Sequence, residues 1–460
     1  MRLVKGAWIR YLIYFIFLRY GRLVAMKQIG VGILGLGTVG VGVANGLHAN
    51  RQTMAKRLGV DVLVRRFADI TDSPLASLRY NGSPLFTTDA MEAINDPGVN
   101  IVAELIGGTK AAKKLVLAAL NAKKPVVTAN KKLLAECGDE IFDAAERNGV
   151  DIYFGASVGG GIPIIRVLRE GLAGNQIQGI HGILNGTCNY ILTRMEQEGL
   201  PFAEVLAAAQ EAGYAETDPS LDIDGFDTAH KASILASLAY GFHVPMGEVL
   251  VEGIRGLSGM DVKFAAELGY RIKLLAIIKR VKSKIEVCVH PTLVPLTHVL
   301  ASVSHAFNAV MVDGDLSGNT LYYGRGAGRD PTASTVIGDI GDVARNLVSG
   351  QPRYSRGVSL ANEGKLSIRP PSEVSSKYYL RLMVVDKAGA LGIMATILGK
   401  HGVSILAATQ KAYADEEETP GHVPIVVLTH AAKEAAVDAA LHDIRAKRIV
   451  NERPVKLRMI

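Results

Sequence analysis

The stretch "QIGVGILGLGTVGVGVANGL", residues 28–47, constrains the fold more than any other part of the chain. A short apolar run rich in β-branched residues leads into Gly35, Leu36, Gly37, Thr38, Val39 and Gly40, and an apolar, helix-compatible run follows. The spacing is G-x-G-x-x-G at a strand–turn–helix junction. Glycines are needed there for a sharp turn, for close backbone approach to a pyrophosphate and for helix–strand packing, with the helix N-terminus facing the phosphates. The pattern alone also fits a tight structural turn; its setting favours dinucleotide binding.

Strand and helix signals keep alternating after this turn: "VDVLVRRFADI", "NIVAELIGG" with its helix, "KPVVTANKKLLAECGDEIFDAAERNG", then "VDIYFGASVGGG". That alternation predicts an α/β fold, a Rossmann-type doubly wound parallel sheet over residues 26–155. Arg65, Arg66 and Asp69 fall at the expected tip of the second strand. An acid there favours the free ribose hydroxyls of NAD, and an arginine favours the 2′-phosphate of NADP. Both types are present, and the two arginines tilt the expectation slightly toward NADP.

From about residue 156 the pattern changes to amphipathic helices and glycine-marked turns. This predicts a second, α+β domain over 156–350. Polar, proline-containing residues 351–376 read as a linker. Residues 377–460 then read strand, helix, strand, strand, helix, strand, a ferredoxin-like βαββαβ module. At 460 residues the chain is long enough for three such units.

Composition narrows the function classes. A net charge of +7 is modest for this length, and no basic patch is interleaved with aromatics, so nucleic-acid binding is disfavoured. Cys137, Cys188 and Cys288 lack metal-ligand spacing and fit a reducing cytoplasm. The aromatic-aliphatic run Tyr11 to Leu18 is too short for a bilayer, which needs ~20 apolar residues, so no stable membrane insertion is expected. Residues 1–25 read as an upstream extension, since "MKQIGVGILGLG" from Met26 has the look of a natural start.

Chemistry concentrates in "GYAETDPSLDIDGFDTAHKASIL", residues 213–235, which crowds carboxylates around one lysine. Asp227 and Lys231 are four residues apart and share a helix face with Ile234, Leu235 and Leu238, while His230, Ser233 and Ser237 form the apparent polar stripe. An ion pair on the apolar side is costly to bury unless it has a purpose. A lysine held by a carboxylate in a partly apolar cleft is a candidate proton donor or acceptor, as hydride chemistry at an alcohol carbon requires. The plainer alternative makes Asp227 a capping acid, with Asp224 as the cap. Glu216 suits a substrate ammonium group or is simply a loop acid.

These motifs, with "ELIGG", "VTANKKLL", "SVGGGIPII", "GILNGTCNYIL" and "GAGRDPTAS", run in one order from Met26 to the C-terminus, and the chain resembles the homoserine dehydrogenases. The resemblance implies NAD(P)-dependent interconversion of L-homoserine and L-aspartate 4-semialdehyde, on the route to threonine, isoleucine and methionine. It implies a second domain that serves substrate binding, catalysis and dimerisation, with its last helix returning to the nucleotide domain. It implies Lys231 as general acid/base, Asp227 as its positioning partner and Glu216 as a substrate ligand. Lys131 falls at the cofactor–substrate junction, Thr109 beside the nicotinamide, Gly328 at the cofactor, and Asn185, Gly186 and Thr187 in the wall of the substrate pocket. It also implies a sodium ion on the backbone carbonyls of Val158, Gly160 and Ile162, although Gly155 stands where many members carry a glutamate. Cys188 reads as a buried small side chain.

The last module is similar to the ACT domains, which sense amino acids and pair between chains. Asp386, Gly389 and Leu391 match their ligand loop, so feedback by L-threonine and a homodimer or homotetramer are expected. Two rivals remain at this level: a related amino-acid or semialdehyde dehydrogenase, and a catalytically inactive amino-acid sensor.

Overall fold

The computed structural model describes residues 26–72, 75, 78–80, 84–350, 366–410 and 421–460. The extension 1–25 and residues 351–365 of the expected linker lie outside the described residues. Two sheets organise the rest.

The first sheet contains β1 (Gln28–Leu34), β2 (Asp61–Ala68), β3 (Leu85–Thr87), β4 (Ile101–Glu104), β5 (Val126–Thr128) and β6 (Ile152–Tyr153). Its order is β3-β2-β1-β4-β5-β6 and every pairing is parallel. Strand order therefore reverses between β1 and β4, at the carboxyl ends where open α/β sheets bind ligands. The helix Thr38–Leu58 covers one face. Beside it lies a helix from far along the chain, Arg329–Ser349, whose Ala333, Val336, Ile340, Val343 and Ala344 join Val31, Ile33 and Val43 in one apolar core. The nucleotide-binding unit is thus discontinuous in sequence.

The second sheet contains β7 (Ile177–Ile183), β8 (Leu250–Val251), β9 (Tyr270–Val281), β10 (Lys284–Pro295), β11 (Phe307–Gly314), β12 (Gly318–Arg325), β13 (Ser367–Ile368), β14 (Ser375–Val385), β15 (Ile405–Gln410), β16 (His422–Thr429), β17 (Ala432–Lys433) and β18 (Val455–Met459). Its main path runs β12-β11-β7-β9-β10-β18-β14-β16-β15. Strands β14, β15, β16 and β18, with helices Ala390–Lys400 and Glu434–Ala446, make a βαββαβ unit in the order β18-β14-β16-β15, antiparallel throughout.

That unit is fused to the second domain. β18 pairs in parallel with β10, Thr292 facing Arg458 and Leu293 facing Met459, so one sheet runs through both. Residues 366–376 are accordingly not a plain linker. β13 pairs with β10 at Lys284 and Ile285, Lys284 meets Glu373 at 2.9 Å, and Arg369 pairs with Glu286. The polar composition of this stretch, read as linker, reflects ion pairs at a junction.

Candidate active site

The glycine turn is built by contact. Gly35 adopts φ 94°, and a Cβ there would come within 2.7 Å of the Leu105 carbonyl. A Cβ on Gly40 would come within 2.0 Å of the Gly35 carbonyl, so the helix Thr38–Leu58 can reach the strand only with glycine at that position. Gly37 is the N-cap, exposed and without neighbours in the way, and Thr38 and Val39 open the helix beside it. A dinucleotide pyrophosphate fits this cradle, with helix N–H groups free to receive it.

The adenosine side corrects the expectation about the second strand. β2 continues to Ala68, so Arg65 and Arg66 lie inside it and only Asp69 stands beyond its end. Arg66 is committed to Asp96 at 2.5 Å, while the Asp69 carboxylate accepts the Leu36 N–H at 2.5 Å.

On the other side of the switch point, the fully buried Glu104 of "ELIGG" shapes the next loop. Its carboxylate accepts from the N–H groups of Ile106 (2.9 Å) and Gly107 (3.3 Å) and from the Thr128 hydroxyl (2.6 Å). Asn130 caps the helix Lys131–Asn148 through Leu133 N–H and donates to the Gly108 carbonyl at 2.7 Å. Thr109 is thereby held at the start of the helix Lys110–Asn121, and Lys131 becomes the first residue of its own helix. Neither Glu104 nor Asn130 stood out in the sequence. The signal was available, since both sit inside motifs otherwise read for their glycines and lysines.

Lys131 reaches across to the second domain, where its ammonium lies 2.5 Å from Asp227 Oδ1. Lys231 Nζ lies 2.6 Å from Asp227 Oδ2 and donates to the Leu184 carbonyl at 2.7 Å. Asn185 Nδ2 donates to the same Oδ2 at 2.8 Å and to Asp222 at 2.7 Å, while its Oδ1 caps the helix Gly186–Glu198 at Cys188 N–H. One carboxylate therefore gathers two lysines and an amide. Asp227 and Lys231 are both buried.

The capping alternative fails. The N-cap of the helix Phe226–Tyr240 is Gly225, at φ 89°, with no side-chain cap, and Asp224 pairs with Arg255 at 2.8 Å. The expected polar stripe is also absent. His230 and Ser233 are as buried as Lys231, because this helix is packed between β9, β10 and the helix Lys131–Asn148. Ser233 donates to the Val244 carbonyl at 2.6 Å.

Electrostatics follow from that burial. For Asp227, burial raises the carboxyl pKa, but the ammonium groups of Lys231 and Lys131 outweigh it and hold the group well below the usual carboxylate range. For Lys231, burial dominates and, with Lys131 close by, lowers the ammonium pKa despite Asp227. Lys131 is less enclosed, and Asp227 raises it against its own burial cost. Asp222, which no spacing in the sequence singles out, is raised first by burial and then by Asp227. Its five-residue spacing from Asp227 gave no face to share, since Gly225 breaks the chain into two helices between them.

Glu216 lies on the exposed loop that leads into this centre, near enough to Lys131 for its charge to be felt. The Thr187 hydroxyl holds that loop by donating to the Tyr214 carbonyl at 2.7 Å. Gly186 passes so close to the Ala306 carbonyl that a Cβ would sit 2.9 Å from it. Cys188 is fully buried and burial pushes its thiol up, which suits a packing residue.

"SVGGG" docks against the loop ending at Gly328, the N-cap (φ 112°) of the helix Arg329–Ser349. The Gly160 carbonyl accepts the Thr335 hydroxyl at 2.7 Å, and the Ile162 carbonyl accepts Ile164 N–H at 2.8 Å. Val158 is buried beside them, and Gly155 N–H donates to Asp339 at 2.8 Å. A Cβ on Gly155 would lie 2.9 Å from both Asp339 oxygens. This set does not fit a cation held by a charged side chain at position 155.

Comparison with known proteins decides the family. Residues 163–340 match the family model described as homoserine dehydrogenase, and residues 35–155 match homoserine dehydrogenase, NAD binding domain. The homoserine dehydrogenase of Neisseria gonorrhoeae is 43% identical over 434 residues, 94% of this chain and 98% of that one. The chain belongs to the homoserine dehydrogenase family. The Pseudomonas aeruginosa homoserine dehydrogenase is 42% identical over 94% of this chain and 99% of its own. A crystal structure of a homoserine dehydrogenase from Thiobacillus denitrificans superposes with a TM-score of 0.88 at 43% identity, covering 95% and 99%. A hyperthermophilic archaeal homoserine dehydrogenase in complex with NADPH gives 0.58 at 26% identity over 71% of this chain. As a homoserine dehydrogenase the chain is an NAD(P)-dependent oxidoreductase, with a Rossmann-like domain and a second, mixed-sheet domain.

Proposed function

We propose that Lys231 is the general acid/base of homoserine oxidation and semialdehyde reduction. The observation that carries this reading is the buried cluster in which Asp227 alone receives both lysines. A bound nicotinamide supplies the hydride acceptor or donor. Lys231 takes the hydroxyl proton in one direction and returns it to the carbonyl oxygen in the other. Asp227 and the Leu184 carbonyl aim its nitrogen, and Asn185 orients Asp227. Lys131 keeps Asp227 charged and faces the cofactor side, beside Thr109. Glu216 receives the substrate ammonium group, and the turn Asn185–Thr187 walls the pocket. Gly35, Leu36, Gly37, Thr38, Val39, Gly40 and Gly328 hold the dinucleotide.

For the cofactor, Asp69 supports NAD over NADP, because, of Arg65, Arg66 and Asp69, it alone stands past β2, and Arg66 is spent on Asp96. The C-terminal unit is proposed as an ACT module, with Asp386, Gly389 and Leu391 forming an L-threonine loop. Gly389 supports this, being a left-handed N-cap (φ 91°) with open space beside it. The exposed edge strand β15, with Leu406 uncovered, and Leu391, also uncovered, support pairing into a homodimer or homotetramer. Three free cysteines accord with a cytoplasmic site of action, and among the described residues no helix is long and apolar enough to cross a membrane. Purified protein should reduce NAD in a homoserine-dependent way, and NADP more slowly. Absence of homoserine-dependent turnover with both cofactors would return the inactive-sensor reading.

A further inference from the structure

A cleft of about 470 Å³ opens where the C-terminal module meets the second domain. This volume is in the range of small-molecule sites. One wall is the helix Glu434–Ala446, which turns Asp438, Leu441, His442 and Arg445 toward it, at the spacing of one helical face. Arg453, Pro454 and β18 form the floor. Opposite stand Glu252, Gly253 and Leu257 of the catalytic domain.

The charges in this cleft are not balanced. Glu252 is held bidentately by Arg458 at 2.7 and 3.0 Å, and Asp438 by Lys456 at 2.6 Å. The guanidinium groups of Arg445 and Arg453 have no hydrogen-bond or ion-pair partner among the described residues. A cation in the last helical turn is favourable to the helix, which explains Arg445 alone. It leaves unexplained why Arg453, from a different segment, lines the same cleft as the apolar Leu257, Leu441 and Leu457. Two unpaired guanidinium groups in a cleft with these apolar side chains suit a carboxylate or phosphate on a small body.

The opposite wall also touches the catalytic loop. Gly253 lies so close to that loop that a Cβ would meet the Ile223 carbonyl at 2.1 Å, and Ile254 N–H donates to the same carbonyl at 2.7 Å. Ile223 follows Asp222, which Asn185 ties to Asp227. We propose that this cleft is a second effector site, distinct from the Gly389 loop, which binds a small carboxylate- or phosphate-bearing anion through Arg445 and Arg453 and signals through Glu252–Ile254 to Asp222.

Calorimetric titration of the full-length protein at constant ionic strength tests this, with inorganic phosphate and butyrate as separate probes. Saturable binding of one probe is expected, and which one binds tells phosphate from carboxylate. Arg445→Gln/Arg453→Gln should weaken it at least about tenfold, since each arginine supplies a charge-assisted bond. Both arginines are exposed, so this variant should fold, and Gly389→Val should leave the binding intact. The bound probe should change the homoserine KM of the native chain and not of the double variant. No saturable binding of either probe, or binding that persists in the double variant, overturns the site. An unchanged KM at saturation overturns the signalling.

Discussion

Lys231 holds its proton under opposed influences, and in the proposed acid/base role their order sets the pH dependence of the reaction. Burial and Lys131 favour the neutral amine, while Asp227 favours the ammonium, and the net direction is down from the ordinary lysine value. With Lys231 as the proposed general base, homoserine oxidation needs the neutral amine, so its rate should rise with pH through that lowered pKa; semialdehyde reduction should fall through it. Lys131→Met removes a neighbouring positive charge and should move the rise to higher pH. A rise that stays put or moves down in this variant would separate Lys131 from the proton-transfer group. Lys231→Ala should lower kcat by about two to four orders of magnitude with little change in cofactor affinity. Asp339 supplies a stability counterpart. Its buried carboxyl is raised from 3.8 to about 6, so between these values the folded chain keeps a proton that the unfolded chain has released. Stability attributable to this group therefore falls as pH rises through that window. Asp339→Asn still accepts from Gly155 and should be more stable than the native chain at pH 8, by at most about 3 kcal/mol. Thermal melts should show that advantage disappearing near pH 4, and an equal advantage at both pH values would contradict the assignment.

Elements were legible in the sequence where one physical rule decided them. The turn at Gly35–Gly40 was readable because backbone contact admits only glycine, and the Asp227–Lys231 face because four residues make a helical turn. The rest depended on partners distant in sequence. Nothing local shows that His230 and Ser233 face protein, since β9, β10 and the helix Lys131–Asn148 come from elsewhere. Nothing local shows that "SIRPPSEV" is zipped to β10, or that Asp69 and not Arg66 ends up beside the glycine loop. The helix Gly259–Glu267 illustrates this dependence. Ser258 and Asp261 form a capping box, legible in principle from spacing, but Asp261 is also fully buried against Arg381 at 2.6 Å, 120 residues away. Arg381→Met leaves that carboxylate without its ion pair, held only by Ser258 and Tyr379, and should cost about 3–5 kcal/mol in urea unfolding. A change under 1 kcal/mol would mean that water reaches Asp261 readily.

At the scale of the whole molecule, the fused sheet changes how the proposed threonine regulation must be tested. Removing the module at Ser375 would open the edge of β10, strip Glu252 of Arg458 and leave Asp261 without Arg381. Such a chain should melt lower, and its loss of inhibition would say little about where threonine binds. Substitution within the module is the cleaner experiment. Gly389 has a left-handed backbone with free space around it, so Gly389→Val strains only the loop, by roughly 1–2 kcal/mol, and should leave catalysis near the native level. Threonine can inhibit only by binding the less active arrangement more tightly, and the continuous sheet from β14 through β18 to β10 gives the module a rigid connection through which two arrangements can differ. Gly389→Val should therefore abolish inhibition by L-threonine while homoserine kinetics stay near normal. Inhibition that persists in this variant but vanishes in Arg445→Gln/Arg453→Gln would move threonine into the interdomain cleft. Inhibition that persists in both, and is competitive with homoserine, would place it among Glu216, Asn185 and Lys231 and leave the module a structural extension of the catalytic sheet.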